Sequence, residues 1–199
     1  MNLIFATNNL NKLNEVRSLV RDRIHIFGLA EVGFSIEIPE DYPNLEQNAS
    51  QKAWFIYHRT RKNCFADDTG LEVDALSGEP GVFSARYSRI GDIRYPEMEA
   101  NEGNIRKLLE KMGNNSNRRA RFRTVFSLIL NNTEYQFEGI IEGSIAYEKL
   151  GENGFGYDPV FIPLQESLSF AQMDLERKNE ISHRAIATKK LISFLNNLP

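Results

Sequence analysis

Two adjacent carboxylates, Asp67 and Asp68, close an apolar run, and they constrain the chain more than any other feature. They lie in a stretch from Phe65 to Tyr87 that reads FADDTGLEVDALSGEPGVFSARY. Successive side chains on a strand point to opposite faces, so the two acids cannot share one solvated surface. A strand from Asn63 to Ala66, followed by a turn beginning at Thr69-Gly70, accommodates them. A carboxylate at such a strand end suits a metal ion or general-base work. Asp in a plain turn, bonding its own backbone, is the competing reading. The residues of this stretch alone leave both open.

Charge narrows the class. The formal net charge of -3 gives no general attraction to nucleic acid, so long polyanions are excluded as favoured partners. A single cysteine, Cys64, excludes an internal disulfide and a cysteine-built zinc site. It lies in the apolar run before Asp67, the setting of a buried thiol. At 199 residues the chain suffices for one large domain or two small lobes with a sizeable core. MNLIFATNN has no basic lead and too short an apolar run for a signal peptide or span, which predicts a cytoplasmic protein with no membrane partner. The N-x-[ST] matches at Asn48, Asn114 and Asn131 carry meaning only in a secreted protein.

Periodicity predicts the elements. Leu3 to Ala6 reads as a strand, and Thr7-Asn8-Asn9 as the polar turn before a helix from near Asn11 to near Arg21. That order aims backbone N–H groups at an anion, and Lys12 at the helix start is disfavoured by the dipole but useful to a phosphate. Ile24 to Leu29 and Phe34 to Ile38 read as strands or extended connections. Pro39 to Asn44 (PEDYPN) is an acidic loop before a helix from Leu45 to Arg61, where Lys52 by default is a solvated charge. A helix from Glu99 to Met112 ends at Gly113. Ala120 to Leu130 and Glu134 to Ile141 form a hairpin around Asn131-Asn132-Thr133. Arg119, Arg121 and Arg123 alternate on one side of that first strand, as a solvated sheet face rather than a nucleic-acid surface. Gly151 to Phe161 (GENGFGYDPVF) is a shaped loop whose aromatics either stack on a flat ligand or tuck into the core. Ser182 caps a final helix, with His183 and Arg184 in its first turn, where an anionic ligand explains their charge.

Collected, these are cations, carboxylates and an aromatic platform. Carboxylates suit Mg²⁺, cations with helix-start amides suit a polyphosphate, and an aromatic suits a nucleobase. TNNLNK, the acidic loop with QNASQKA, ADDTGLEVDAL, GEPGVFSARY, GFGYDP and ISHR occur in order across essentially the whole chain. Together they resemble the inosine triphosphate pyrophosphatase family. That resemblance implies an α/β fold, an elongated mixed β-sheet flanked by helices. It implies one pyrophosphatase domain over 1–199, in two lobes with a central cleft, assembled as a homodimer. It implies Mg²⁺-dependent hydrolysis of ITP, dITP and XTP to monophosphate and pyrophosphate, cleaning the nucleotide pool.

By the same resemblance Asp68 is the general base and, with Glu40, a metal ligand, while Asp67 supports or shares that role. Thr7, Asn8, Asn9, Leu10, Asn11, Lys12, Lys52 and Thr69 hold the phosphates. Phe155, Gly156, Tyr157 and Asp158 receive the base, with Phe155 stacking, and Lys178, His183 and Arg184 complete phosphate and purine recognition. The family has glycine where this chain has Asn8, and Asn is the non-glycine residue best able to keep a positive φ there. A nucleotide-binding regulator without catalysis, or another phosphate enzyme, are the rival readings.

Overall fold

A computed structural model describes residues 1–20, 23–34, 36 and 38–198. The strands are β1 (Asn2–Phe5), β2 (His25–Gly28), β3 (Cys64–Val73), β4 (Pro80–Gly81), β5 (Arg119–Leu130), β6 (Thr133–Ile145) and β7 (Phe161–Pro163). The helices are α1 (Leu10–Leu19), α2 (Leu45–Thr60), α3 (Ala100–Met112), α4 (Leu175–Ile181) and α5 (His183–Asn196). The strands make one mixed sheet in the order β2-β1-β3-β5-β6-β7, with β4 paired to β3. β1 runs parallel to β2 and to β3, while β4 and β7 pair antiparallel with β3 and β6. The fold is α/β, as the resemblance implied.

The chain forms two compact units. The first comprises 1–68, 124–139 and 182–199, and the second 69–123 and 140–181. In the first unit Phe5, Phe65 and Phe126 on one sheet face pack with Leu13 and Val16 of α1 and with Ala187 and Leu191 of α5. On the other face Ile4, Cys64, Ala66 and Ile129 pack with Ala53 and Ile56 of α2. In the second unit Leu71, Val73 and Phe122 pack with Leu108 of α3 and with Phe161 and Phe170. Among the described residues no helix is long and apolar enough to cross a membrane.

Local chemistry explains the helix starts. The Asn9 side chain accepts from the backbone N–H groups of Asn11 and Lys12, Asn44 accepts from Gln47, and Ser182 accepts from Ala185. Asn131 and Asn132 both have positive φ, 49° and 66°, the pairing a two-residue hairpin turn requires.

One expectation needs correction. No turn begins at Thr69-Gly70, because β3 continues through both residues to Val73. Gly70 is there for closeness: a Cβ on it would sit 2.7 Å from the carbonyl oxygen of Gly81 on β4. Phe34, Ile36 and Ile38 lie in no strand, and Ser35 and Glu37 fall outside the described residues. α1 ends at Leu19, and the expected end near Arg21 likewise falls outside them.

In the first unit α5 lies directly on β6. A Cβ on Gly139 would overlap the carbonyl oxygen of His183 and approach the Ala187 nitrogen to 2.7 Å. Gly139→Ala should therefore lower the unfolding free energy by about 1–3 kcal/mol in urea titrations. An unchanged midpoint would show that this packing is looser than described.

Candidate active site

Because β3 is extended at Asp67 and Asp68, alternation sends their side chains to opposite sheet faces, and both are buried. Each acid therefore finds its partners on a different helix.

Asp67 faces α1 and α5. Its Oδ2 lies 2.8 Å from Lys12 Nζ and 3.7 Å from Arg184 Nη2, and the other Arg184 nitrogen, Nη1, donates to Glu15 on α1. Burial alone pushes the Asp67 carboxyl up, but Lys12, then Arg184 and Lys52, outweigh it and hold the group well below the usual carboxylate range. Burial also lowers the Lys12 ammonium, against the pull of Asp67 and with the push of Arg184 and Lys52.

Asp68 faces α2. Its Oδ1 accepts from Lys52 Nζ at 3.1 Å, and its Oδ2 accepts from Asn48 Nδ2 at 3.2 Å. Lys52 Nζ also donates to Glu40 Oε1 at 2.6 Å. Burial raises Asp68; Lys52 opposes it and the nearby Glu40 charge reinforces it, and the carboxyl ends above its ordinary range. Lys52 is raised: burial lowers it, but Asp68, Asp67 and Glu40 together prevail. Lys52 is thus no solvated mid-helix charge, being only 6% exposed.

Glu40 Oε1 and Asp68 Oδ1 both bond the Lys52 ammonium, so two carboxylates meet at one cationic group. Among the described residues no group of three or more His, Cys, Asp or Glu could hold a metal. Two carboxylates without a full cage fit a hard cation that draws its other ligands from water and phosphate oxygens.

The Thr7–Lys12 segment is shaped by its own side chains. Thr7 Oγ1 accepts from the Asn9 N–H at 3.1 Å, and Asn9 Oδ1 accepts from those of Asn11 at 2.9 Å and Lys12 at 3.2 Å. Two of the helix-start donors expected to face an anion are therefore bonded to the cap. Asn8 is not among the described non-glycine residues with positive φ, and its amide donates to the Ile36 carbonyl. Leu10 is exposed.

In the second unit the glycine-rich loop closes on Asp158. Its Oδ2 accepts from the Phe155 N–H at 2.8 Å and from Lys178 Nζ at 2.6 Å. Gly154 has φ +76°, and a Cβ there would overlap the Asp158 carboxylate. The Lys178 ammonium sits 4.9 Å from the centre of the half-buried Phe155 ring, and Gly156 is half-buried beside it. Tyr157 is buried and donates its hydroxyl to the Ser84 carbonyl oxygen at 3.1 Å. Of the loop's aromatics, Tyr157 and Phe161 tuck into the core and Phe155 remains partly accessible. Thr69 is half-buried on β3 in this unit.

At the start of α5, His183 and Arg184 are buried, 3% and 1% exposed. The charge of Arg184 is met by Glu15 and Asp67 inside the protein, so no ligand is needed to explain it. Sequence reasoning missed Glu15 and Asn48. Asn48 had a signal: with Lys52 it falls inside the apolar stripe of α2 set by Leu45, Ala49, Ala53 and Ile56.

A model of the Ham1 family matches residues 3–194. A dITP/XTP pyrophosphatase of Porphyromonas gingivalis is 50% identical over 194 residues, 97% of this chain and 96% of that protein. One from Flavobacterium psychrophilum is 44% identical over 197 residues, 99% of this chain and 100% of the other. The solved structure of a Ham1 protein from Staphylococcus aureus superposes with a TM-score of 0.84 at 38% identity, covering 98% of each chain.

The two acids should differ in stability. Asp67 titrates lower folded than unfolded, so it stabilises the fold above the ordinary carboxylate value of 3.8 and loses this as pH falls below it. Asp68 titrates higher folded, so its stabilisation belongs to low pH and is lost as pH rises through its folded value. Asp67→Asn should thus cost about 3 kcal/mol at pH 7, narrowing toward acid, because it strips the partner from buried cations. Asp68→Asn should cost far less. Urea unfolding of both variants at neutral and acidic pH checks this, and equal losses would contradict it.

Proposed function

The chain belongs to the Ham1 family, and we propose that it is an Mg²⁺-dependent pyrophosphatase that hydrolyses ITP, dITP and XTP to the nucleoside monophosphate and pyrophosphate. One observation carries the reading: two carboxylates, Asp68 and Glu40, converge on one cationic nitrogen beside a strand whose preceding acid grips Lys12. The names of the full-length relatives, dITP/XTP pyrophosphatase, support the substrate class.

In this reading Glu40 and Asp68 are the residues that would hold Mg²⁺. When bound, the ion supplies neutralisation of the charge on the phosphoanhydride. Asp68 takes the proton of the attacking water, the role the family resemblance implies for it. Asp67, held low, is a poor base and instead anchors Lys12 and Arg184. Lys12 and Lys52 offer ammonium groups to the triphosphate, with the Thr7–Asn11 segment as polar neighbour, and stabilise the leaving pyrophosphate; Thr69 keeps the phosphate role that the resemblance implies. Lys52 also keeps Glu40 and Asp68 from repelling one another.

Phe155 presents its ring to the base. Gly156 lets backbone approach it, and the Asp158–Lys178 pair fixes the loop that carries both. Donors aimed at a 6-keto oxygen would face the amino group of ATP instead, which is the source of selectivity. His183 and Arg184 act from within the protein. Cleaning of the nucleotide pool by a cytoplasmic homodimer completes the reading and rests on the family resemblance.

Pyrophosphate release should be fast with ITP and Mg²⁺, slow with ATP or GTP, and absent without the metal. Orthophosphate as the first product would overturn the reaction class, and equal rates on all three would remove the cleaning role. Asp68→Asn should lower kcat about 100-fold or more while the protein stays folded. Phe155→Ala should raise KM more than it lowers kcat, since stacking binds ground and transition states alike. A kcat effect alone would give Phe155 a part in the chemistry.

A further inference from the structure

Asn48 is wholly buried on the inner stripe of α2, a polar side chain among apolar ones. Its amide makes three contacts. Oδ1 accepts from the Tyr42 N–H at 2.9 Å, and Nδ2 donates to the Tyr42 carbonyl at 3.0 Å and to Asp68 Oδ2 at 3.2 Å. One turn further along α2, Lys52 repeats the pattern, joining Glu40 to Asp68 Oδ1. Each oxygen of Asp68 is thus taken by one α2 side chain that also grips the acidic loop, and the contacts close a ring through Glu40, Tyr42, Asn48, Asp68 and Lys52. Only an amide fits this corner. A carboxylate has no proton for Asp68, and an apolar group would leave both Tyr42 backbone groups without these bonds.

We propose that Asn48 is the positioning residue that sets Asp68 in register with Glu40, so that their oxygens meet at one cation. Resting on the two-carboxylate reading above, this gives Asn48 the part of an outer partner orienting a metal ligand, whose removal costs typically 10–100-fold in affinity. Gln51 supplies the control. It fastens the same loop through Asp41, accepting from its N–H at 3.0 Å and donating to its carboxylate at 2.6 Å, and has no bond to Asp68.

The test is Mn²⁺ titration followed by electron paramagnetic resonance on the full-length protein, with thermal unfolding in parallel. Asn48→Ala should bind Mn²⁺ roughly 10–100-fold more weakly, while Gln51→Ala binds as the wild type does. Should Asn48→Ala not fold, Asn48→Ser, still polar but too short to bridge both partners, should show the same loss. Equal affinity in wild type and Asn48 variants would overturn the inference while sparing the two-carboxylate reading. Equal losses in the Asn48 and Gln51 variants would reduce Asn48 to loop anchoring and overturn it too. A wild-type protein that binds no Mn²⁺ would overturn both.

Discussion

The alternation of side chains along β3 is the constraint on which the rest depends. It places two neighbouring carboxylates on opposite faces of a buried sheet, where neither has water to solvate it. A buried anion must be paired, hydrogen-bonded or protonated. The chain answers differently on the two sides. On one face Lys12 and Arg184 hold Asp67 ionised, and on the other a single ammonium shared with Glu40 leaves Asp68 raised. Identical side chains one residue apart thereby acquire opposite electrostatics, one held ionised and one raised.

The helices are fitted to that demand. α1 carries Lys12 and Glu15 on its inward side, and Glu15 takes the half of the Arg184 guanidinium that Asp67 leaves. α2 interrupts its apolar stripe at Asn48 and Lys52, one turn apart, and both reach the acidic loop as well as the strand. Buried polar groups of this kind are costly unless each is satisfied, which makes the arrangement rigid as well as specific. In the second unit the same logic recurs on a smaller scale, where Asp158 closes its loop with one backbone N–H and the Lys178 ammonium.

Much of this was legible in the sequence where local rules decide. The polar turn Thr7-Asn8-Asn9 before α1, the Ser182 cap, the α2 and α3 helices and the Asn131-Asn132 hairpin follow from propensity and turn chemistry, and the structure has them. The failures came where a distant residue decides. Gly70 suggested a turn, but its role is the approach of Gly81, which no pattern within β3 reveals. Lys52 read as a solvated charge because its acidic partners lie elsewhere in the sequence. Glu15, 169 positions from Arg184, does not stand out in the sequence as its partner. The strands β4 and β7, two and three residues long, are too short for any periodicity to mark.

The division of labour between the two acids is the central claim, and carboxyl-carbon NMR of aspartate-labelled protein reads it directly, with Asp67→Asn and Asp68→Asn spectra for assignment. The account predicts that the Asp68 signal titrates above the ordinary carboxylate range while the Asp67 signal stays that of an ionised carboxylate as pH falls through that range. Coincident titration of the two signals, or the reverse order, would contradict it.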